Sequence, residues 1–304
     1  MSFNHVDQKV KQKIKSVFGN RAIFGEELKK HTTFGVGGQA EIFVRVLTER
    51  ELLFILRLAS LYKVKSFVLG YGSNVLVSDK GFNGIVISLR QFCGYKIENG
   101  ILTAKAGTGL NKLICSLKKV GLSGLEHLYG IPASIGGAVA INAGAFGVEI
   151  SNSLISVRAI SNNKIVEFDK NQCNFKYRDS RFLQNSEIIT EARFNLVSQE
   201  ESAIDSVIKA LMKERRKKPL TNTCGSVFKN PNGSFAGELI ERAGLKGYSI
   251  GKAKISNLHA NYIECQKGAL AIDIYLLIKK IQNTVKDKFD ILLEPEVKFI
   301  GDFK

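Results

Sequence analysis

Four groups of residues in this chain of 304 could do chemistry. The first is glycine-bearing. It comprises Gly70-Tyr71-Gly72-Ser73-Asn74 and the turn running from Gly130, Ile131, Pro132, Ala133 and Ser134 to Gly136 and Gly137. Glycine lets another molecule approach the main chain closely, and successive N–H groups aimed into one concavity hold an anion. Each turn adds a hydroxyl, Ser73 or Ser134, where a pyrophosphate could sit. With Val36-Gly37-Gly38 they form a set suited to a phosphate-bearing cofactor; the plainer alternative is tight glycine packing with no ligand. The second is Ser226, in CGSVFKNP (224–231). His127 and His259 have no recognisable partner motif, so Ser226 reads as a hydroxyl donor or a turn residue rather than a nucleophile. The third is ILLEPEVKFIG (291–301). As a strand it puts Glu294, Glu296 and Lys298 on one face, either as a carboxylate pair for acid and base work or as an exposed polar face. The fourth is Tyr177-Arg178 in YRDSRF (177–182). The guanidinium could clamp an anion bidentately or pair with Asp179. Lys217, Lys229 and Lys252 could neutralise phosphates, and nothing distinguishes them individually.

The elements that must position these groups are mixed. Residues 1–20 form a lysine-rich helical lead. Residues 31–46 are a glycine turn and a strand. Thr48 with Glu51 makes a capping box that opens an amphipathic helix to about Tyr62. Strands follow at 64–70, 84–89, 95–100 and 101–107, the last two joined by the hairpin signal Asn99-Gly100. A helix over 109–120 stops at Gly121. After the glycine stretch come strands at 153–160, 164–169 and 186–196 and a helix over 202–217. Lys218-Pro219 ends that helix and marks a domain boundary. Beyond it lie a helix at 234–243, a strand pair near 248–265, a helix at 268–286 and a strand at 291–300. The pattern is α+β. No GxGxxG opens a helix after the first strand, which argues against a Rossmann fold.

Composition narrows the classes. Leu128 to Val148 holds 21 residues without a formal charge, long enough to span a membrane. Its few large aliphatic side chains, a proline, Ser134 and Asn142 argue against that. The length suffices for two ordinary domains, and 44% hydrophobic with 24% charged residues is a globular balance. No secretory signal is visible. Five scattered cysteines, an odd count with no CxxC, fit reduced thiols in a cytoplasmic protein and imply neither a disulfide framework nor a metal site. The net charge of +16 suits a nucleic-acid binder, a membrane-surface protein or an enzyme of anionic ligands. The one dense basic run, KERRKK (213–218), ends a helix where cations complement the dipole. The dispersal of the other lysines and the absence of Trp count against nucleic acid.

In order, the segments HTTFGVGGQAE, LGYGSNVLVSDKGFNGIVI, AGTGL, GLSGLEHLYGIPASIGGAVAINAGAFG, YRDSRF, CGSVFKNP, AGLKGYSIGKAKISNLHANYI and LEPEVKFIG cover about residues 30–301. Together they resemble the UDP-N-acetylenolpyruvoylglucosamine reductase family, in its shorter type without an additional tyrosine-bearing loop. The resemblance implies the FAD-binding fold of vanillyl-alcohol oxidase and p-cresol methylhydroxylase plus a C-terminal α+β substrate domain. It divides the chain into 1–63 (with the C-terminal strand near 291–304), 64–200 and 201–304. It implies tightly but non-covalently bound FAD, NADPH as reductant, and reduction of UDP-N-acetylglucosamine enolpyruvate to UDP-N-acetylmuramate for peptidoglycan synthesis. Another FAD-dependent oxidase or dehydrogenase of the same fold is the alternative. By the same resemblance Ser226 protonates the substrate carbon, and Arg178 and Glu296 stabilise the enolic intermediate; since two anions repel, Glu296 is expected to be protonated or to share a proton with the intermediate, its pKa raised by burial. FAD falls to Val36, Gly37 and Gly38, to Gly70, Tyr71, Gly72, Ser73 and Asn74, to Gly130, Ile131, Pro132, Ala133, Ser134, Gly136 and Gly137, and to Asn142, Ala143 and Gly144. Substrate falls to Tyr177, Arg178, Lys218, Asn230 and Tyr248. A monomer handling small molecules, with no nucleic-acid or membrane partner, is expected. Gly35, Lys252 and Cys224 depart from the family's commoner residues, and none of these replaces a catalytic residue.

Overall fold

The runs EIFVR and GIVIS alternate between two buried faces. Ile42, Val44, Ile85 and Ile87 point to one, Phe43 and Val86 to the other. The computed structural model describes residues 6–185, 187–219 and 222–303. The first five residues of the helical lead and Ser186 of the expected 186–196 strand therefore lie outside the described residues. The two runs form adjacent parallel strands, Gln39–Arg45 and Phe82–Ser88. Ala22–Glu27 pairs antiparallel on one side and Ser66–Leu69 parallel on the other, which completes a four-stranded mixed sheet. Helices Gln8–Phe18 and Glu49–Leu61 cover one face with Val10, Ile14, Phe18, Leu52 and Ile55. At the start of the second helix the Thr48 hydroxyl accepts from the Glu51 amide at 3.2 Å, and the Glu51 carboxylate accepts from the Leu47 amide at 2.8 Å.

A second sheet is wholly antiparallel, in the order Lys164–Asp169, Leu154–Ser161, Ile188–Asn195, Ile101–Lys105, Tyr95–Glu98. Asn99 and Gly100 have φ of +51° and +77°, as a tight hairpin turn with two left-handed residues requires. Leu102, Ala104, Val157, Ala192 and Phe194 join the same core as the first sheet. The short helix Ile135–Ala140, cut from the glycine stretch, packs on Ile188–Asn195. A separate core is enclosed by helices Ala236–Arg242 and Ala271–Phe289 and by the antiparallel strands Ser249–Ile250, Ala253–Ile255 and Ile263–Cys265. The expected strand pair is thus a three-stranded sheet.

Three expectations about organisation need correction. A cut between residues 63 and 64 passes through the first sheet, because strands on both sides of it pair with Phe82–Ser88. A last domain beginning at 201 would take helix Glu201–Arg215 from the first core, where Ile204 and Ile208 are buried. The long strand at 291–300 is only Lys298–Ile300, lying parallel to Val75–Val77. That pairing returns the chain's end to the first half of the molecule. Asp79, just beyond Val77, fastens it further. Its carboxylate accepts from the Ala271 and Ile272 amides at 2.9 and 3.0 Å, at the N-terminus of the longest helix.

Burial on that helix gives a direct check. Ile278 is fully buried and Leu276 is 44% exposed. Ile278→Ala should cost about 2–5 kcal/mol, and Leu276→Ala should stay within about 0.5 kcal/mol, both read from denaturation midpoints. Equal losses would show that the helix buries a different face.

Candidate active site

The turn 70–74 leaves the carboxyl end of Ser66–Leu69, the edge where open α/β sheets bind ligands. It is wedged among other loops. A Cβ on Gly72 would overlap the His31 carbonyl, one on Gly70 would reach the Ser134 hydroxyl, and Gly109 lies against the Tyr71 hydroxyl. The Gly72 carbonyl accepts from the Thr33 amide at 3.1 Å, which joins this turn to the 31–38 loop. Among the described residues, the amides of Val36, Gly37, Tyr71, Gly72, Ser73 and Asn74 have no acceptor in the protein, and the Thr33 hydroxyl is buried without a partner. Buried amides are normally paired, and Gly72 is buried. Two joined turns therefore present a concave set of open donors, fit for a pyrophosphate.

The second glycine turn behaves differently from the expected nest. Gly130 donates to Asn111 Oδ1 at 2.6 Å, Ile131 to the Leu128 carbonyl at 3.2 Å and Ala133 to the Ile131 carbonyl at 2.9 Å. Gly136 donates to the Ala106 carbonyl at 2.8 Å and Gly137 to the Ser134 hydroxyl at 3.3 Å. These amides are taken within the protein, while that of the buried Ser134 has no acceptor among the described residues, and the turn backs the first one; Gly136 is glycine because a Cβ would press on Ala106. Pro132 is exposed beside it. Asn142 is likewise engaged with the protein. Fully buried, its Nδ2 donates to Glu149 at 2.7 Å and to the Lys176 carbonyl at 3.1 Å, and its Oδ1 accepts from the Ser151 amide at 3.4 Å. The Ala143 amide is likewise taken, by the Ala138 carbonyl at 2.8 Å.

Arg178 sits at φ +53° in a turn closed by reciprocal Lys176–Asp179 hydrogen bonds. Asp179 accepts instead from the Ser180 amide and from Gln184, so Arg178 is not its partner. The guanidinium donates to the Gly144 and Asn142 carbonyls at 2.6 and 3.4 Å and lies 3.5 Å from the Glu296 carboxylate. Glu296 is held by its backbone. Its amide donates to the Val227 carbonyl at 2.8 Å, and its carbonyl accepts from Asn74 Nδ2 at 3.1 Å. Burial raises the Glu296 carboxyl above its ordinary range, opposed by Arg178 and Lys229. Glu294 does not share its face: it is exposed and pairs with Lys229 at 2.8 Å. The 291–297 stretch runs beside Phe228 rather than in a sheet, so a period of two does not apply.

Ser226 immediately precedes Val227, and so lies next to the carbonyl that holds Glu296. Asn261, which the sequence reading passed over, fixes this segment. Its carbonyl accepts from Val227 at 2.9 Å, its Oδ1 from the Phe228 amide at 2.9 Å, and its Nδ2 donates to the Phe228 carbonyl at 2.8 Å. The only hint was a polar residue inside the run HANYIEC. The nearby Cys224 thiol is held protonated by burial and by Glu296. Tyr177 accepts from the Asn230 amide at 3.4 Å, while the Asn230 side chain accepts from the Ala236 amide at 3.0 Å and so starts a helix. Lys218 is half-buried, its ammonium disfavoured by burial and by Arg215. Tyr248 is exposed where the three-stranded sheet begins. Lys217 pairs with Glu214 at 2.8 Å. The exposed Lys252 donates through its amide to Asp273 at 3.2 Å. Gly35 has φ +69° and open space at its Cβ position, so the turn's conformation accounts for the glycine.

An α+β body with open backbone donors at a sheet's edge, a second, smaller α+β body, and a serine, arginine and glutamate on segments joined by backbone hydrogen bonds define a flavin-binding oxidoreductase fold. A family model described as an FAD binding domain matches residues 40–168, and one described as the C-terminal domain of UDP-N-acetylenolpyruvoylglucosamine reductase matches residues 216–300. The reductase of that name from Caldicellulosiruptor bescii is 40% identical over 282 residues, which is 91% of this chain and 90% of its own. That from Carboxydothermus hydrogenoformans is 39% identical over 298 residues, 97% and 99% of the two chains. The crystal structure of the reductase from Thermus caldophilus superposes with a TM-score of 0.80 at 33% identity, covering 92% of this chain and 98% of that one. An alkyldihydroxyacetonephosphate synthase shares the fold alone, with a TM-score of 0.50 at 19% identity over 65% of this chain and 42% of that one. The fold is that of the vanillyl-alcohol-oxidase type with an added C-terminal α+β body, and the chain belongs to the UDP-N-acetylenolpyruvoylglucosamine reductase family.

The electrostatics of Glu296 are open to titration. Arg178→Ala removes the nearest opposing charge, so the Glu296 carboxyl should titrate at higher pH than in the unmodified protein, followed by carboxyl-selective NMR. A midpoint that stays put or falls would show that Arg178 does not govern it.

Proposed function

We propose that the protein reduces UDP-N-acetylglucosamine enolpyruvate to UDP-N-acetylmuramate, using tightly but non-covalently bound FAD and NADPH. The observation that carries this reading is the convergence of Ser226, Arg178 and Glu296, from three separate segments, beside the open amides of the 36–37 and 71–74 turns. Those amides and Thr33 would hold the cofactor's pyrophosphate, with Gly70 and Ser134 forming the wall behind. Bound FAD supplies the hydride-transfer chemistry; the chain supplies position and charge. Arg178 meets the substrate carboxylate, where negative charge grows as the double bond is reduced. Ser226 gives a proton to the carbon beside that carboxylate. Glu296, whose carboxyl burial makes easier to protonate, shares a proton with the same charge, since an ionised carboxylate there would repel it. Tyr177, Lys218, Asn230 and Tyr248 border the remainder of the sugar nucleotide, Lys218 as the cation for its diphosphate. The FAD-holding body then comprises residues 6–219 with the returning strand 298–300, and the substrate body the stretch between. We take the working protein as a cytoplasmic monomer acting on small molecules, with neither nucleic acid nor membrane as partner.

The test is consumption of NADPH that depends on the enolpyruvyl sugar nucleotide and yields a product heavier by two hydrogens. Ser226→Ala should keep its flavin while kcat falls by about 10²- to 10⁴-fold. Near-normal turnover in that variant would remove Ser226 from the proton transfer.

A further inference from the structure

Leu69 and Leu89 leave neighbouring parallel strands side by side, the Leu89 amide donating to the Leu69 carbonyl at 3.1 Å. Beyond Leu69 the chain is the 70–74 turn with its open amides. Beyond Leu89 it makes a tight turn, closed by the Phe92 amide on the Leu89 carbonyl at 2.9 Å, and Arg90 is the first central residue of that turn. Arg90 joins the two turns. Its Nη2 donates to the Tyr71 carbonyl at 3.0 Å, and its guanidinium lies over the Tyr71 ring, 5.1 Å from the centroid. The far end of the ring is fixed as well, since its hydroxyl is packed so closely on Gly109 that a Cβ there would overlap it.

The consequence for the site runs through one peptide. The Tyr71 carbonyl and the Gly72 amide belong to a single planar trans unit and point to opposite edges of it. Arg90 takes the carbonyl edge. The Gly72 amide, on the other edge, is one of the donors with no acceptor among the described residues. With standard peptide dimensions the Arg90 Nη2 lies within about 5.5 Å of the Gly72 nitrogen. A cation on the carbonyl polarises the peptide, so that its N–H binds an anion more strongly. The same hydrogen bond fixes which way the peptide faces, which Gly72, at φ +69°, does not enforce by itself. Arg90 is exposed, and among the described residues it pairs with no carboxylate. Its positive charge is therefore not neutralised within the protein.

We propose that Arg90 is a cofactor-holding residue of this chain, acting through the Tyr71–Gly72 peptide on a diphosphate seated against the 71–74 turn; the inference rests on the FAD-dependent reduction assigned above. Arg90 is a positioning residue. It aims the Gly72 amide, and it places a full positive charge behind a set of donors that otherwise carry only partial charges.

Arg90→Gln removes the charge and keeps a donor for the carbonyl, whereas Arg90→Lys keeps the charge. The FAD-loaded protein is diluted in series and the released flavin is read from its fluorescence, which gives Kd. At about 0.01 M salt, where charges act over about 30 Å, Arg90→Gln should raise Kd by about three- to tenfold and Arg90→Lys by less than about twofold. At about 1 M salt, where that reach falls to about 3 Å, Arg90→Gln should come within about twofold of the unmodified protein. Lys63→Gln makes the same loss of charge at an exposed position beyond the other end of the strand Ser66–Leu69, and it should stay within about twofold at both salt concentrations. An unchanged Kd in Arg90→Gln, a loss that persists undiminished at high salt, or an equal loss in Arg90→Lys or Lys63→Gln overturns the role of Arg90 and leaves the assigned reaction standing. Absence of bound FAD in the unmodified protein overturns the assigned reaction, and the role of Arg90 with it.

Discussion

Residues 294–298 are hydrogen-bonded to both halves of the molecule at once. On one side the Glu296 amide holds the Val227 carbonyl and the Lys229 amide holds the Glu294 carbonyl. On the other, Asn74 accepts from the Lys298 amide and donates its side chain to the Glu296 carbonyl. The serine-bearing segment, the glutamate and the glycine turn with open amides are thereby fixed to one another through backbone. Asp79, which accepts from the first amides of the helix Ala271–Phe289, adds a second tie at the same seam.

Charge placed at that seam is costly, and the structure shows how the cost is distributed. Glu296 is largely buried beside Arg178 at 3.5 Å, a separation too long for a close bidentate pair. Arg178 spends its closer hydrogen bonds on the Gly144 and Asn142 carbonyls, which aim it. The carboxyl is therefore easier to protonate than usual. Because its folded value is raised, the native state binds the extra proton, and stability falls as pH rises through that value. A readily protonated carboxyl and an aimed guanidinium are complementary to a growing carboxylate charge, which is the demand of reducing a double bond conjugated to a carboxylate.

Much of this was legible in the sequence and some was not, for reasons tied to particular residues. Asn99-Gly100 and Thr48 with Glu51 signal through local backbone chemistry, which tertiary packing rarely overrides. The glycines marked close approach correctly, but not what approaches. At Gly136 it is Ala106, and at Gly72 it is the His31 carbonyl. Whether an amide is open or spent depends on distant carbonyls, so the 71–74 turn and the 130–137 turn looked alike. The face shared by Glu294 and Glu296 failed because alternation presupposes a sheet, and 291–297 lies outside one. The cut at 63/64 failed because parallel strands pair across long connections, here across the 49–61 helix. Asn261 and Asp79 were invisible, since a polar residue's buried partners are set by the fold.

The central claim is that this seam holds a flavin and an enolpyruvyl carboxylate together so that reducing equivalents pass from one to the other. Anaerobic flavin absorbance tests it most directly, with NADPH added first and UDP-N-acetylglucosamine enolpyruvate second. The account predicts bleaching of the flavin band on the first addition and stoichiometric recovery on the second. Bleaching with no recovery would contradict it, leaving a flavin site with the wrong substrate assigned to it.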